Sequence, residues 1–312
     1  MSLPHYQIWA RGAQPPHEND SASRLATDAV VDIYHQPKFK LPRDASVFTI
    51  GSCFARSIED AFVAKGFNVT SAGVPLQRDW YIGMRPSHVL TKFNTHSMLA
   101  ELQRVFGGIE LPDDGLVELR EGLFWNPQLH CVAQLPRDEA LAVKEAAART
   151  VRKIAHANLV IITLGLTEYW FDTQLGVPIN DTPVDWLYQR RTKRFEHRNT
   201  GFYETHLQAK ALCDLIFEVA GPQVRIIVTV SPVPLLRSFS HQDVIVANAY
   251  SKSVLRAVAQ EISNADDRID YFPSYEIVTN SPRSVAWEAD LRHVRYPTVE
   301  AIVAKFERHY FD

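Results

Sequence analysis

Three cysteines in 312 residues, Cys53, Cys131 and Cys213, are too few and too scattered for a disulfide framework or a Cys-x-x-Cys metal site. They fit a reduced, cytoplasmic setting. The twelve histidines include no His-Glu-x-x-His and no tight His/Cys cluster, so no metal is expected. Gly-x-Gly-x-x-Gly and phosphate-loop patterns are also missing, and no cofactor is expected. Charge of one sign is scarce: a formal net charge of −3 gives no electrostatic reason to expect nucleic acid or an anionic membrane surface. The one local basic run, Arg190-Arg191-Thr192-Lys193-Arg194, reads as a solvated loop. No apolar run approaches membrane-spanning length, and no signal core follows a basic head at the N-terminus, so neither a membrane span nor secretion is expected. Repeats, low-complexity tracts and splitting linkers are absent as well.

What is present is organised around Val47 to Ala55, an apolar run that ends abruptly in Gly51-Ser52-Cys53. Phe54, Ile58, Phe62 and Val63 follow at helical spacing, so the chain passes from buried strand to amphipathic helix with Gly51 and Ser52 at the switch. A serine there stands at a helix N-terminus, where backbone N–H groups point outward and favour negative charge. Its oxygen can attack an ester while those groups stabilise the oxyanion, or it can merely cap the helix.

Residues 1–44 read as an irregular N-terminal arm and 45–312 as one domain. Gly66 stops the first helix ahead of a second short strand at Asn68-Val69-Thr70. An insertion at about 74–135 carries a helix over Val89 to Phe106 and a small hairpin over Val117 to Trp125. A helix over Asp138 to Ala157 feeds the doubly buried strand Leu159 to Leu164, closed by Gly165-Leu166-Thr167-Glu168. A second, irregular insertion covers about 169–201. Then come a helix over Tyr203 to Ala220, a strand over Val224 to Val230, a helix over Asp243 to Ile262, a short strand over Ile269 to Phe272 and a terminal helix over Thr298 to Tyr310. Strands alternating with helices imply a parallel sheet covered on both faces, with ligands at the carboxyl ends of its strands. Ser52, Gly165 to Glu168 and Ser231 to Pro234 all fall at such ends.

A serine nucleophile needs a base, and the base needs an acid to fix its tautomer. Asp290 and His293, three apart after the last strand, supply both types and complete a candidate triad with Ser52.

Gly51-Ser52-Cys53-Phe54-Ala55 is the stretch that names the GSCFA family, a branch resembling the SGNH (GDSL-like) hydrolases. The resemblance continues through Thr163 to Glu168, Thr229 to Leu235, Tyr250 to Arg256 and Tyr271 to Glu276, covering about residues 45–295. It implies a three-layer α/β/α sandwich with a parallel, flavodoxin-like sheet of about five strands, a nucleophile at Ser52 and an Asp-x-x-His block at Asp290 and His293. The wider superfamily places a glycine after the second strand, here Gly73, and an asparagine in a Gly-x-Asn-Asp block, which here reads Gly165-Leu166-Thr167-Glu168. The usual amide donor is therefore missing. Thr167 through its hydroxyl, or Asn94 from the first insertion, can replace it, and Gly51, Gly73, Gly165 and Glu168 complete the candidate oxyanion and substrate contacts.

The expected activity is a serine esterase that removes an acyl group, plausibly acetyl, from a small-molecule or glycan ester. An O-acyltransferase to a saccharide uses the same acyl-serine, and a binding protein on a degenerate hydrolase fold is the non-catalytic alternative. Cys53 is expected to pack behind Ser52 as a small apolar residue, and Lys252 to snorkel from a helix face. Trp80, Tyr81, Trp125, Trp170, Phe171 and Trp186 in the two insertions either pack them against the domain or line a substrate groove.

Overall fold

The computed structural model describes residues 7–10, 20–183 and 185–312; residues 1–6 and 11–19 of the expected arm lie outside the described residues. In chain order, α1 (Ser21–Thr27) precedes β1 (Val47–Gly51) and α2 (Cys53–Ala64). The first inserted segment contributes α3 (Thr95–Phe106) and the antiparallel hairpin β2 (Val117–Arg120) and β3 (Leu123–Trp125). Next come α4 (Arg137–Arg152), β4 (Leu159–Leu164), β5 (Glu168–Asp172), β6 (Val177–Ile179), α5 (Trp186–Thr192) and β7 (Phe195–Asn199). The chain closes with α6 (Phe202–Ala220), β8 (Arg225–Val230), α7 (Val244–Ala265), β9 (Ile269–Tyr271), α8 (Ser274–Asn280), α9 (Arg283–Ala286) and α10 (Tyr296–Tyr310).

The central sheet is parallel, in the order β1-β4-β8-β9. Four strands form where about five were expected. Asn68-Val69-Thr70 runs beside β1 but makes a single parallel bridge, Val69 to Val47, because it is confined between turns at Gly66 (φ 76°) and Gly73 (φ 74°). Counting that bridge as the second position gives the flavodoxin-like order 2-1-3-4-5.

Side chains alternate across the strands with period two. Phe48, Ile50, Val160, Ile162, Ile226 and Val228 face a core that includes residues of α3, α4, α6 and α7. Val47, Leu159, Ile161 and Ile227 face the opposite core, with Phe54, Ile58 and Phe62 of α2 and Ile302 and Phe306 of α10. Each such side chain contributes about 1.5–3 kcal/mol on burial, so these two apolar layers, rather than the lone edge bridge, hold the sheet together.

The segment expected to be irregular at 169–201 is instead a three-stranded antiparallel sheet, β6-β5-β7, with α5 in the connection. Pro178 reads as a strand breaker, yet it sits in the edge strand β6, where a missing N–H leaves no central ladder bond unmade. The basic run is only partly a solvated surface: Arg194 is buried and its guanidinium binds the Asp172 carboxylate, with Nη2 to Oδ2 at 2.7 Å. No helix among the described residues is long and apolar enough to cross a membrane.

Candidate active site

β1 ends in a corner that only glycine fits. Gly51 has φ 142°, and a Cβ there would stand 2.3 Å from the carbonyl oxygen of Thr163 on β4. The next residue, Ser52, is the N-cap of α2, with Oγ accepting from Phe54 N at 3.3 Å. Ser52 therefore caps the helix, because the corner aims Oγ at the first-turn N–H groups that have no intrahelical acceptor.

Ser52 lies in a cleft of about 550 Å³ at the carboxyl end of the sheet, between the exits of β1 and β4. In an open α/β sheet of this order, that is the topological switch point where ligands collect. Cys53 lines the same cleft instead of packing wholly behind the serine. The chain is already helical at Cys53, so neighbouring side chains are offset around the helix and do not point to opposite sides. Burial pushes the Cys53 thiol up, against the pull of the Arg292 and Lys252 charges, which disfavours the thiolate.

His293 reaches the cleft from the loop between α9 and α10, 240 residues after Cys53 in the chain. Its Nδ1 lies 2.5 Å from Asp290 Oδ2. Asp290 Oδ1 also accepts from the backbone N–H groups of His293 and Arg292, each at 3.0 Å. Those two backbone bonds, and then the imidazole, hold the Asp290 carboxyl well below the usual range. On its other side His293 Nε2 is 3.0 Å from the Arg292 guanidinium, which in turn donates through Nε to the Pro234 carbonyl at 3.2 Å. A guanidinium only donates, so Nε2 carries the lone pair and Nδ1 the proton. That is the tautomer a general base requires, although its lone pair faces Arg292 and not Ser52.

Asn94, Gly165 and Glu168 also line the cleft. Asn94 caps α3, its Oδ1 accepting from Ser97 N at 2.8 Å, and no hydrogen bond among the described residues engages its Nδ2. Gly165 is wedged: a Cβ would meet the Phe93 carbonyl oxygen at 2.6 Å and Ser52 Cβ at 3.1 Å. Gly73 and Thr167 are not brought to the cleft. The place beside the end of β1 is taken by Thr91 and Lys92, which bridge Gly51, and Gly73 is left in an exposed turn. Thr167 is buried with its hydroxyl unpartnered and shielded from solvent.

Of the six inserted aromatics, Trp170 and Trp186 line the cleft. Trp80 is tied by its indole N–H to Glu139, Tyr81 is in the main core, Trp125 packs on Phe195, and Phe171 lies under Arg198. Phe239 and His197, which carried no signal in the sequence, join Trp170 and Trp186 in a ring cluster with centroids 5.0–6.0 Å apart. Glu168 underlies it, accepting from His197 (2.9 Å), Ser238 (2.6 Å) and Phe239 N (3.0 Å). Burial pushes its carboxyl up, and these hydrogen bonds outweigh that and lower it.

A second pair, His130 and Asp181, lines the cleft from the inserted segments, with Nδ1 to Oδ2 at 3.2 Å. Burial opposes the charged imidazole, but Asp181 and Cys131 overcome it and push His130 up to about 9. Fifty-one positions separate the pair, so no spacing pattern reveals it. Lys252 is the other surprise: it is buried beside the site and does not snorkel, because its Nζ finds the Gly165 carbonyl at 2.8 Å.

Residues 46–306 match the GSCFA family. No curated protein matches the chain. Among solved structures, the inhibitor-bound and native forms of an aryl esterase from M. smegmatis each align at 13% identity and a TM-score of 0.34, over 85% of this chain and 97% of that one.

Proposed function

The chain belongs to the GSCFA family, and from that premise and the cleft geometry we propose that it is a serine esterase acting through an acyl-Ser52 intermediate. The observation that carries this reading is the shared cleft: a serine at a strand-to-helix corner and a histidine whose Nδ1 is held by a carboxylate and whose Nε2 is an acceptor. With substrate bound, Arg292 moves off Nε2, and His293 takes the Ser52 proton as Oγ attacks the ester carbonyl. The oxyanion is met by N–H groups at the start of α2 and by the Asn94 amide, which stands in for the absent Gly-x-Asn-Asp donor. His293 then returns the proton to the departing alcohol, and water, activated by the same histidine, releases the acid and frees Ser52.

The aromatic cluster of Trp170, Trp186 and Phe239, with polar His197 and Glu168 among it, suits the apolar faces and hydroxyls of a saccharide or the body of another hydroxylated acceptor. Removal of an acyl group from such an acceptor is the assignment. Hydrolysis is preferred over transfer because His293, Leu236 and Trp186 on the cleft wall are exposed and admit water to the cleft, although Ser52 itself is buried.

Turnover of an activated acyl ester by Ser52→Ala and Cys53→Ala tests the assignment. The serine variant is expected to lose activity by about 10⁴-fold or more, as in other enzymes stripped of a triad member, and the cysteine variant to keep it. The reverse pattern would discard the mechanism.

A further inference from the structure

Helix α7 touches the loop after β4 with two consecutive side chains. Lys252 Nζ donates to the Gly165 carbonyl at 2.8 Å, and Ser251 Oγ accepts from Thr167 N at 3.0 Å. Both side chains are about 1% exposed. The loop they hold is pressed against Ser52 and bonds onward: Leu166 N donates to the Phe93 carbonyl at 2.8 Å, one residue before Asn94. Two hydrogen bonds in series therefore run from the buried amine through the Gly165–Leu166 peptide to the backbone that presents the Asn94 amide.

We propose that Lys252 is a positioning residue for acyl transfer, clamping the Gly165–Leu166 peptide so that the Asn94 amide is held at the oxyanion formed on Ser52. This inference rests on the serine esterase reading. Nothing in the packing calls for an amine at position 252. An unbranched apolar side chain would fill the same space without desolvating an ammonium, and no carboxylate pairs with Lys252 among the described residues. Burial pulls Lys252 down to about 7, with the neighbouring Cys53 thiol opposing it and the Arg292 charge adding to it. What the amine does provide is a donor to the one carbonyl that fixes the wedge. Gly165 sits close against both neighbours: a Cβ there would stand 2.6 Å from Phe93 O and 3.1 Å from Ser52 Cβ, so the loop leaves no room for a side chain. A loop released at Gly165 O would shift relative to both the nucleophile and the amide. The clamp also accounts for a loop that departs from Gly-x-Asn-Asp: the donor has moved to Asn94, and α7 supplies the support.

The test is a double-mutant cycle read by the rate of acyl-enzyme formation from an activated acyl ester, in Lys252→Met, Asn94→Ala and the double variant. Lys252→Met is expected to slow acylation about tenfold to hundredfold, the scale of a small misplacement of a catalytic group, with KM little changed and thermal stability not reduced. In the Asn94→Ala background the same substitution should have little further effect, because the group it positions is gone. Equal losses in both backgrounds, or a wild-type rate in Lys252→Met, would overturn the proposal while leaving the esterase reading intact. Should Lys252→Met fail to fold, Ser251→Ala decides: slowed acylation that is non-additive with Asn94→Ala supports the clamp, and an unchanged rate overturns it. Labelling that persists in Ser52→Ala would remove the esterase reading and this inference together.

Discussion

A methyl group at Gly165 would have to displace the Phe93 carbonyl or the Ser52 side chain, and neither can yield without moving the site. Gly165→Ala is therefore expected to reduce acylation by about 10²-fold, while overpacking lowers stability by only about 1–3 kcal/mol. Stopped-flow acylation and urea unfolding on one preparation check both, and a wild-type acylation rate would contradict the wedge. The glycine is plain in the sequence, but its reason is not, because Phe93 and Ser52 are distant in the chain. Lys252 also gives stability a pH dependence. Unfolded, the amine holds its proton up to about 10.5; folded, it releases it above about 7. Between those values the unfolded chain binds more protons, so this group makes stability rise with pH, by up to about 1.4 kcal/mol per unit. Lys252→Met lacks that slope. Urea unfolding should find the Met variant ahead by most at pH 6 and the gap narrowing by pH 9; a gap independent of pH would show that Lys252 is not depressed.

Strands β1, β4 and β8 were legible as apolar runs because both faces of each are buried, and their flanking helices as periodic stripes. Elements whose partners lie outside the main sheet were not. β5 and β7 pair with each other to bury a small core around Trp125, Ile179 and Phe195, and nothing local in 169–201 announces that pairing. The short helices α8 and α9, which were not legible in the sequence either, have Pro273 and Pro282 at their N-caps. β5 brings Trp170 and Glu168 to the cleft, and β7 brings His197. Trp170→Ala should therefore raise KM for acylated saccharides severalfold, while a small activated acetate, too short to reach the ring cluster, keeps its kcat/KM. Equal losses on both substrates would place Trp170 in structural support alone.

Across the whole molecule, the cleft gathers residues from the start of α2, both inserted segments, the segments after β4 and β8, and the loop before α10. Ser52, Asn94, Gly165, Glu168 and His293 could be nominated from types and positions. Arg292, Lys252, His130 with Asp181, and Phe239 depend on contacts between distant segments, so spacing alone could not reveal them. The exposed cleft wall admits water, so with an acyl donor present, added saccharides should leave mostly free acid, and acylated saccharide as the dominant product would reverse the choice of hydrolysis over transfer. Peptide mapping of the protein, quenched in acid during incubation with an activated acyl ester, tests the acyl-Ser52 intermediate itself. An acyl group on Ser52 is the predicted result, and an acyl group on Cys53, or none on the protein at all, would contradict the account.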